Sequence, residues 1–245
     1  MKLRNMKGEV QISPAWRTRK TIYINGKGIK LTIKEIETQE ELDEYAALTE
    51  FHYRGTGGAG RRIPLIAKLN VWNLPKTVGF VELSSSLIVN VARKKVIDCP
   101  YKDAEYGIGW KSWDRETAKK YTNTIVRISR CVVYPELRGL GLAASLSQAA
   151  ITHSKTRWHI GGLRPCFIEI IAEMLRYWPF VEKVGFVKVG ETEGNEKRAP
   201  KTMNYLLTRK KNGENYPAGG GGIMAMHRMH AEQLAEIQQT RGVSV

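Results

Sequence analysis

Residues 132–143 read V-V-Y-P-E-L-R-G-L-G-L-A and join a predicted strand to a predicted helix. The strand, expected over 125–133, stops before Pro135. The helix begins after the glycines and carries an apolar stripe of Leu142, Leu146, Ala149 and Ala150. Glycines let backbone N–H groups approach an anion closely, and a helix N-terminus adds partial positive charge. The turn at 138–143 therefore predicts a pyrophosphate cradle, while tight strand-to-helix packing is the alternative use of such glycines.

The positive charge of the chain is strongly clustered. The formal net charge is +15, and residues 1–30 hold eight Lys or Arg against one acid, while residues 194–211 hold six against one. A further cluster is Arg93-Lys94-Lys95. Such an excess neutralises phosphates and attracts polyanions at long range, so it favours contact with nucleic acid. A generic basic surface is the alternative.

Composition narrows the class of protein. The 245 residues are 42% hydrophobic, which fits one globular domain with extensions. Three widely spaced cysteines, Cys99, Cys131 and Cys166, indicate a reducing compartment and no metal finger. Because no run of 18 apolar residues and no signal-peptide pattern occurs, we expect neither a membrane span nor export, and a cytoplasmic location.

Alternating strand and helix patterns predict a mixed α/β domain. Asn25-Gly26 is a hairpin signal, residues 37–50 suit a helix, and residues 61–71 and 77–91 read as strands. Residues 174–184 predict a short helix broken at Pro179. The predicted order of parts is a basic arm at 1–20, a domain at 21–211, a Gly-rich linker at 212–222 and a tail at 223–245, helical over 223–239.

Residues 98–122 contain two tryptophans and three tyrosines among charges, with no clean periodicity. They predict a long functional insertion that supplies a stacking surface or a wedge. The alternative is that their rings pack into a satellite core.

Several short motifs carry a family resemblance. R-x-x-G-x-A at 138–143 resembles the pyrophosphate motif of the GNAT acyltransferase superfamily, and Y-W-P-F-V-E-K-V-G-F at 177–186 resembles its late F-Y-E-K-x-G-F segment. H-Y-R at 52–54, I-S-R at 128–130, I-E at 168–169 and Y-W-P-F at 177–180 resemble a subgroup that includes the phage Mom DNA adenine-modification proteins.

The resemblance implies a GNAT-like α/β fold, a central mixed twisted sheet with flanking helices. It implies acetyl-CoA or a related acyl carrier held at Val132, Val133, Arg138, Gly139, Leu140, Gly141, Leu142 and Ala143. It further implies transfer of an acyl-type, carbamoylmethyl-like group to adenine N6 in DNA, which protects phage DNA from restriction in the bacterial cytoplasm. DNA would be a duplex with a flipped adenine or a single strand.

Six residues are candidates for the chemistry of such a transfer: His52, Tyr53, Ser129, Arg130, Glu169 and Tyr177. His52 suits a general base and Tyr53 a proton donor or stacking ring. Glu169 lies in an apolar strand, so it is either catalytic or paired with an arginine, Arg130 being the candidate.

Val181 stands where many family members have a proton-donating tyrosine, and Tyr177 is the leading replacement. No metal-ligand spacing is present, and the need for a metal stays open.

Two other functions remain open. One is an acetyl-CoA-dependent N-acetyltransferase acting on a protein or small-molecule amine, and the other is a non-catalytic DNA-binding protein of the same fold. Self-association through the Met-containing tail is a further expectation.

Overall fold

The structure is a computed structural model. It describes residues 14–52, 60–71 and 73–192 with their side chains, and the backbone of three further strands at 2–5, 8–11 and 223–228. The predictions for Tyr53, the basic segment 194–211, the linker 212–222 and the tail beyond residue 228 lie outside these residues.

Twelve strands and four α-helices are described. The strands are β1 (Lys2–Asn5), β2 (Gly8–Gln11), β3 (Arg17–Ile24), β4 (Lys27–Glu35), β5 (Arg62–Leu69), β6 (Thr77–Ser85), β7 (Tyr101–Asp103), β8 (Ile108–Trp110), β9 (Ile125–Val133), β10 (Phe167–Ala172), β11 (Val187–Glu191) and β12 (Ile223–Arg228). The helices are α1 (Gln39–Thr49), α2 (Val91–Ile97), α3 (Arg115–Tyr121) and α4 (Leu142–Arg157).

Eight of these strands form one sheet in the order β11-β12-β10-β9-β6-β5-β4-β3. Strands β9 and β10 are parallel, and the other described neighbours in this sheet are antiparallel. Successive residues of β6 serve opposite faces, because side chains alternate along a strand. Val81 packs in the core that contains α4, and Phe80 packs with Leu48 of α1. The predicted mixed sheet with flanking helices is confirmed.

Local signals placed the first hairpin and the first helix correctly. Asn25 and Gly26 both have positive φ, 50° and 74°, as a two-residue turn between β3 and β4 requires. Helix α1 begins after Thr38, whose hydroxyl accepts a hydrogen bond from the Glu41 amide at 3.2 Å.

The two ends of the chain differ from the predicted parts. The helix predicted over 223–239 is wrong for residues 223–228, which form β12 between β10 and β11, and its remaining residues lie outside the described part of the chain. The periodicity of a short apolar run does not show whether the run is a strand or a helix. Residues 223–228 are a strand because they pair with β10 on one side and β11 on the other. The predicted arm at 1–20 contains the β1–β2 pair and the first residues of β3.

Two internal segments also differ. The strand predicted over 77–91 ends at Ser85, and Asn90 then caps α2, so Arg93-Lys94-Lys95 lies on a helix. The helix predicted over 174–184 is replaced by two 3-10 turns, Glu173–Arg176 and Glu182–Val184, on either side of Pro179. Proline cannot donate the hydrogen bond that a continuous helix would need there.

Residues 98–122 form a satellite core, so the prediction of a functional insertion is replaced by its alternative. The rings of Tyr101, Trp110, Trp113 and Tyr121 are at most 9% exposed and pack with Phe167 of β10. Rings buried in this way are not available as a surface wedge, because they fill the space between β7–β8, α3 and the sheet.

Candidate functional site

The turn before α4 is open to solvent. Gly139 and Gly141 have φ of 87° and 76°, and a Cβ added at either would meet nothing within 4 Å. The α4 hydrogen bonds begin with Ser145 N to Gly141 O at 3.0 Å, so the amides just before Ser145 lack an intrahelical acceptor. Backbone donors at a helix N-terminus, approached through glycines, suit a phosphate oxygen. The space beside both glycines of the predicted cradle is therefore open.

Two cations border this turn. Arg138 is exposed, and its Nε contacts the carbonyl of Val133 at 3.4 Å. Lys20 of β3 places its Nζ 3.4 Å from Ser145 Oγ, within the first turn of α4. Lys20 was predicted only as part of a basic arm, and the long-range contact brings it to the cradle.

The predicted carrier contacts divide into two kinds. Gly139, Leu140 and Gly141 are exposed, whereas the side chains of Val132, Val133 and Leu142 are at most 8% exposed and belong to the apolar cores. Ala143 is partly buried beside the main core. The buried residues can therefore meet a ligand only through their backbone.

The parallel strands β9 and β10 separate just before this turn. Their pairing ends at Ile128 with Ile170, while β9 continues to Val133. The register with β6 shifts between Glu82–Arg130 and Leu83–Ile128, which leaves Ser129 as a bulge. Among the described strands, none pairs with β9 on its β10 side beyond Ile128. This place lies beyond the carboxyl ends of the paired parallel strands, which is where α/β sheets commonly bind ligands.

A buried carboxylate lies at the bulge. Glu82 of β6 is 1% exposed, and its oxygens accept hydrogen bonds from Tyr45 OH at 2.6 Å and Ser129 Oγ at 2.7 Å. Burial alone would raise the pKa of Glu82, but these hydrogen bonds and the charges of Arg130 and Arg62 outweigh it and lower the pKa. Burial and the hydrogen bond to Glu82 raise the pKa of Tyr45. Glu82 is thus an anion that holds a neutral phenol.

Glu82 and Tyr45 were not among the residues predicted from the sequence. A signal for Glu82 was present, because a charged residue stands inside the apolar strand 78–83, the same pattern that drew attention to Glu169. Tyr45 carried no such signal, since its hydrogen bond to Glu82 depends on how α1 packs on the sheet.

Glu169 is paired, but its partner is Arg93 and not Arg130. Arg93 NH1 lies 3.3 and 3.2 Å from the two carboxylate oxygens, and both side chains are fully buried. Ser86 donates a hydrogen bond to Glu169 at 2.6 Å, and Arg93 also donates to Ser86 and to the carbonyls of Leu87 and Ile88. The pair fixes α2 to the sheet, so we assign Glu169 a structural role.

Two other predicted residues follow the ends of α1 and β10. His52 follows α1, with its amide donating to Thr49 O at 3.1 Å, and the ring of its neighbour Phe51 packs 5.7 Å from that of Tyr134 before the cradle. Tyr177 is 70% exposed beyond the end of β10, and Val181 is 1% exposed.

The described residues contain neither a metal-binding cluster nor a membrane-spanning helix. Within the ranges given above, no three His, Cys, Asp or Glu side chains are grouped so as to hold a metal ion. In the same part of the chain, no helix is both long enough and apolar enough to cross a membrane.

No protein-family model matches the sequence, and no curated protein matches it either. Three solved structures are similar in overall arrangement. The ribosomal-protein-S18-alanine N-acetyltransferase from Escherichia coli has a TM-score of 0.44 at 12% identity, covering 81% of this chain and 94% of that one. A spermidine N-acetyltransferase chimera from Vibrio cholerae and hSSAT has a TM-score of 0.41 at 14% identity, covering 81% and 96%.

The third is a Desulfovibrio desulfuricans protein described as a GNAT-family acetyltransferase, with a TM-score of 0.40 at 10% identity, covering 82% and 99%. All three TM-scores lie below 0.5. The likeness therefore assigns neither site nor substrate to this chain.

Proposed function

We propose that this chain transfers an acyl-type group from a diphosphate-bearing carrier such as acetyl-CoA to an amine, and that the amine is adenine N6 in DNA. The observation that supports the transfer is the open glycine turn at 138–143, placed where β9 and β10 separate. The turn suits a diphosphate, and β9, which precedes the turn, carries Ser129, whose hydroxyl donates a hydrogen bond to Glu82.

The carrier would supply an activated carbonyl carbon. The amides before Ser145 and the exposed side chain of Arg138 would bind its diphosphate, and the backbone of β9 beyond Ile128 would orient its arm. These contacts position the reacting group without needing a side chain from the buried residues Val132 and Val133.

Glu82 and Tyr45 would act on the acceptor side. When a neutral amine attacks a carbonyl carbon, positive charge develops on its nitrogen. A fixed carboxylate nearby stabilises that charge in the transition state. Because Glu82 has a lowered pKa, it stays ionised at neutral pH, while Tyr45 stays protonated and donates to it. His52 and Tyr177 remain candidates for moving the proton of the amine and of the leaving thiol.

DNA as the acceptor is supported by the +15 charge and by the resemblance of the motifs at 52–54, 128–130 and 177–180 to the phage Mom proteins. The same transfer to a protein or small-molecule amine is the second candidate, because the cradle and Glu82 would serve any amine.

Mass spectrometry of nucleosides from plasmid DNA tests the proposal. The plasmid is isolated from cells that express the chain or its Glu82→Gln variant. We expect a new adenine adduct with the wild-type chain and a strongly reduced yield with the variant. If the DNA is unmodified and the chain releases thiol from acetyl-CoA when an amine is added, the acceptor is a protein or small-molecule amine and not DNA. DNA binding with neither activity would leave only a binding protein.

A further inference from the structure

Three arginines lie on one face of the sheet beside the Glu82 carboxylate. Residues paired across neighbouring strands share a face, so the strand registers define two adjacent rows. The first row is Arg62, Ser84, Arg127 and Glu169, and the second is Pro64, Glu82 and Arg130. The next row, Ile66 with Phe80 and Val132, packs against Leu48, which identifies this as the α1 face.

The electrostatics agree with this placement. The charges of Arg130 and Arg62 both act to lower the pKa of Glu82 and of Tyr45, so the two guanidinium groups lie near that pair. Of the two carboxylates in these rows, Glu169 is held by Arg93, a fourth cation. The rows and Arg93 thus carry four positive charges and two negative ones.

The placement of three arginines on one partly covered sheet face has a chemical consequence. Arg62 is exposed, and Arg127 and Arg130 are partly exposed, so a ligand can reach them. Arg62 lies on β5, and Arg127 and Arg130 both lie on β9, with β6 between the two strands. Two strand spacings amount to ~9.6 Å, a gap that long arginine side chains on the same face can close around one phosphate. Arginine binds phosphate through paired N–H donors, and such contacts are strong.

We propose that this arginine face, defined by Arg62, Arg127 and Arg130, binds a phosphate of the acceptor nucleic acid next to the reacting base. The inference rests on the proposed function, because it uses Glu82 as the position of the acceptor amine. It separates two phosphate sites: the carrier's diphosphate binds at the turn before α4, and the acceptor's phosphate binds on the α1 face.

The test measures binding of a single-stranded 12-nucleotide DNA with one adenine by fluorescence anisotropy at several salt concentrations. The variants are Arg62→Gln, Arg130→Gln and the double variant, and Arg115→Gln on α3 is the matched control, because Arg115 is exposed and lies outside the two rows. We expect each single variant to weaken binding about five- to tenfold. Each lost phosphate contact should lower the salt slope by about 0.7.

Two further measurements separate the outcomes. Acetyl-CoA affinity and the thermal unfolding midpoint are measured for every variant. We expect the affinity to stay near the wild-type value and the midpoint to fall slightly in the Arg62 and Arg130 variants, because both charges also stabilise the buried Glu82 carboxylate. Competition by dAMP would show that the bound phosphate belongs to the reacting nucleotide, whereas competition by unlabelled oligomer alone would assign it to a neighbouring nucleotide.

The arginine face is overturned if the double variant binds the oligomer as tightly, and with the same salt slope, as Arg115→Gln. If the double variant also binds acetyl-CoA normally, that result contradicts the arginine face but not the carrier site. Loss of DNA affinity in a chain that does not bind acetyl-CoA at all would instead contradict the proposed transfer.

Discussion

The carboxylate of Glu169 and the guanidinium of Arg93 lie 3.2 Å apart with both side chains fully buried. Breaking such a pair leaves one uncompensated charge in the interior, which costs about 3–5 kcal/mol. We therefore expect Arg93→Met to lower the Tm by roughly 10 °C, measured by circular dichroism. The exposed neighbour Lys94→Met is the control and should change little.

The companion variant addresses the role of Glu169. The double variant Arg93→Met, Glu169→Met leaves no buried charge and should recover part of the lost stability. The carbonyls of Leu87 and Ile88 would still lack their donor, so recovery should be incomplete. Unchanged stability in both variants, with turnover abolished, would return Glu169 to a catalytic role.

Glu82→Gln should reduce turnover with little change in carrier affinity. The amide keeps the shape of the side chain and removes the negative charge opposite the attacking amine, and we expect a loss on the order of 10²-fold in kcat. Tyr45→Phe removes only one hydrogen bond to Glu82 and should cost less.

The dependence of turnover on pH in the wild-type chain tests the role of Glu82. The pKa of Glu82 is lowered, so its carboxylate is ionised well below neutral pH and should add no rising limb to the profile near pH 7. A rising limb near neutrality that disappears in Glu82→Gln would contradict this assignment.

Acid should destabilise the fold through Glu41. Burial alone would raise the pKa of Glu41, but the amide of Glu37 and the ammonium groups of Lys34 and Lys68 outweigh it and lower the pKa to about 2. Since the folded pKa lies below the unfolded value of 4.5, this stabilisation is present above pH 4.5 and is lost as the pH falls towards 2.

Urea unfolding at pH 7, 4 and 3 measures that loss. We expect Glu41→Gln to be less stable than the wild type at pH 7 and to show a smaller drop on acidification. Asp43→Asn, an exposed position on the same helix, is the control and should follow the wild-type curve. Parallel curves for Glu41→Gln and the wild type would contradict the assignment.

Lys20→Gln should weaken carrier binding. The Nζ of Lys20 lies 3.4 Å from Ser145 Oγ in the first turn of α4, so its charge is close to the proposed diphosphate site. We expect a three- to tenfold loss of acetyl-CoA affinity by calorimetry, about 1 kcal/mol for one screened charge. Lys27→Gln, at the turn of the same hairpin, should have no effect.

Local patterns predicted the strand, glycine turn and helix around 138–143, the first hairpin and α1 well. The glycines at 139 and 141 and the start of α4 depend on neighbouring residues, which a short stretch of sequence contains. The cost of burying a charge predicted that Glu169 is either catalytic or paired with an arginine, and the arginine expected was Arg130 rather than Arg93. Arg93 is separated from Glu169 by 76 residues, and only the docking of α2 brings the two together.

Contacts between residues far apart in sequence also explain the two largest errors, the predicted tail helix and the predicted functional insertion. Residues 223–228 join the sheet because β10 and β11 leave a place between them, which no property of those six residues encodes. The aromatic residues at 98–122 resembled a functional insertion because their apolar partners, Phe167 among them, lie far away in sequence.

Calorimetric titration of acetyl-CoA into two matched alanine variants tests the carrier site most directly. Gly141 and Gly107 both have positive φ, 76° and 63°, and both have open space around a new Cβ, so alanine should strain the two turns alike. Gly141 lies in the cradle and Gly107 in the β7–β8 turn. We predict that Gly141→Ala loses at least tenfold in affinity while Gly107→Ala binds as the wild type does; equal affinity in both variants would contradict a diphosphate at residues 138–143.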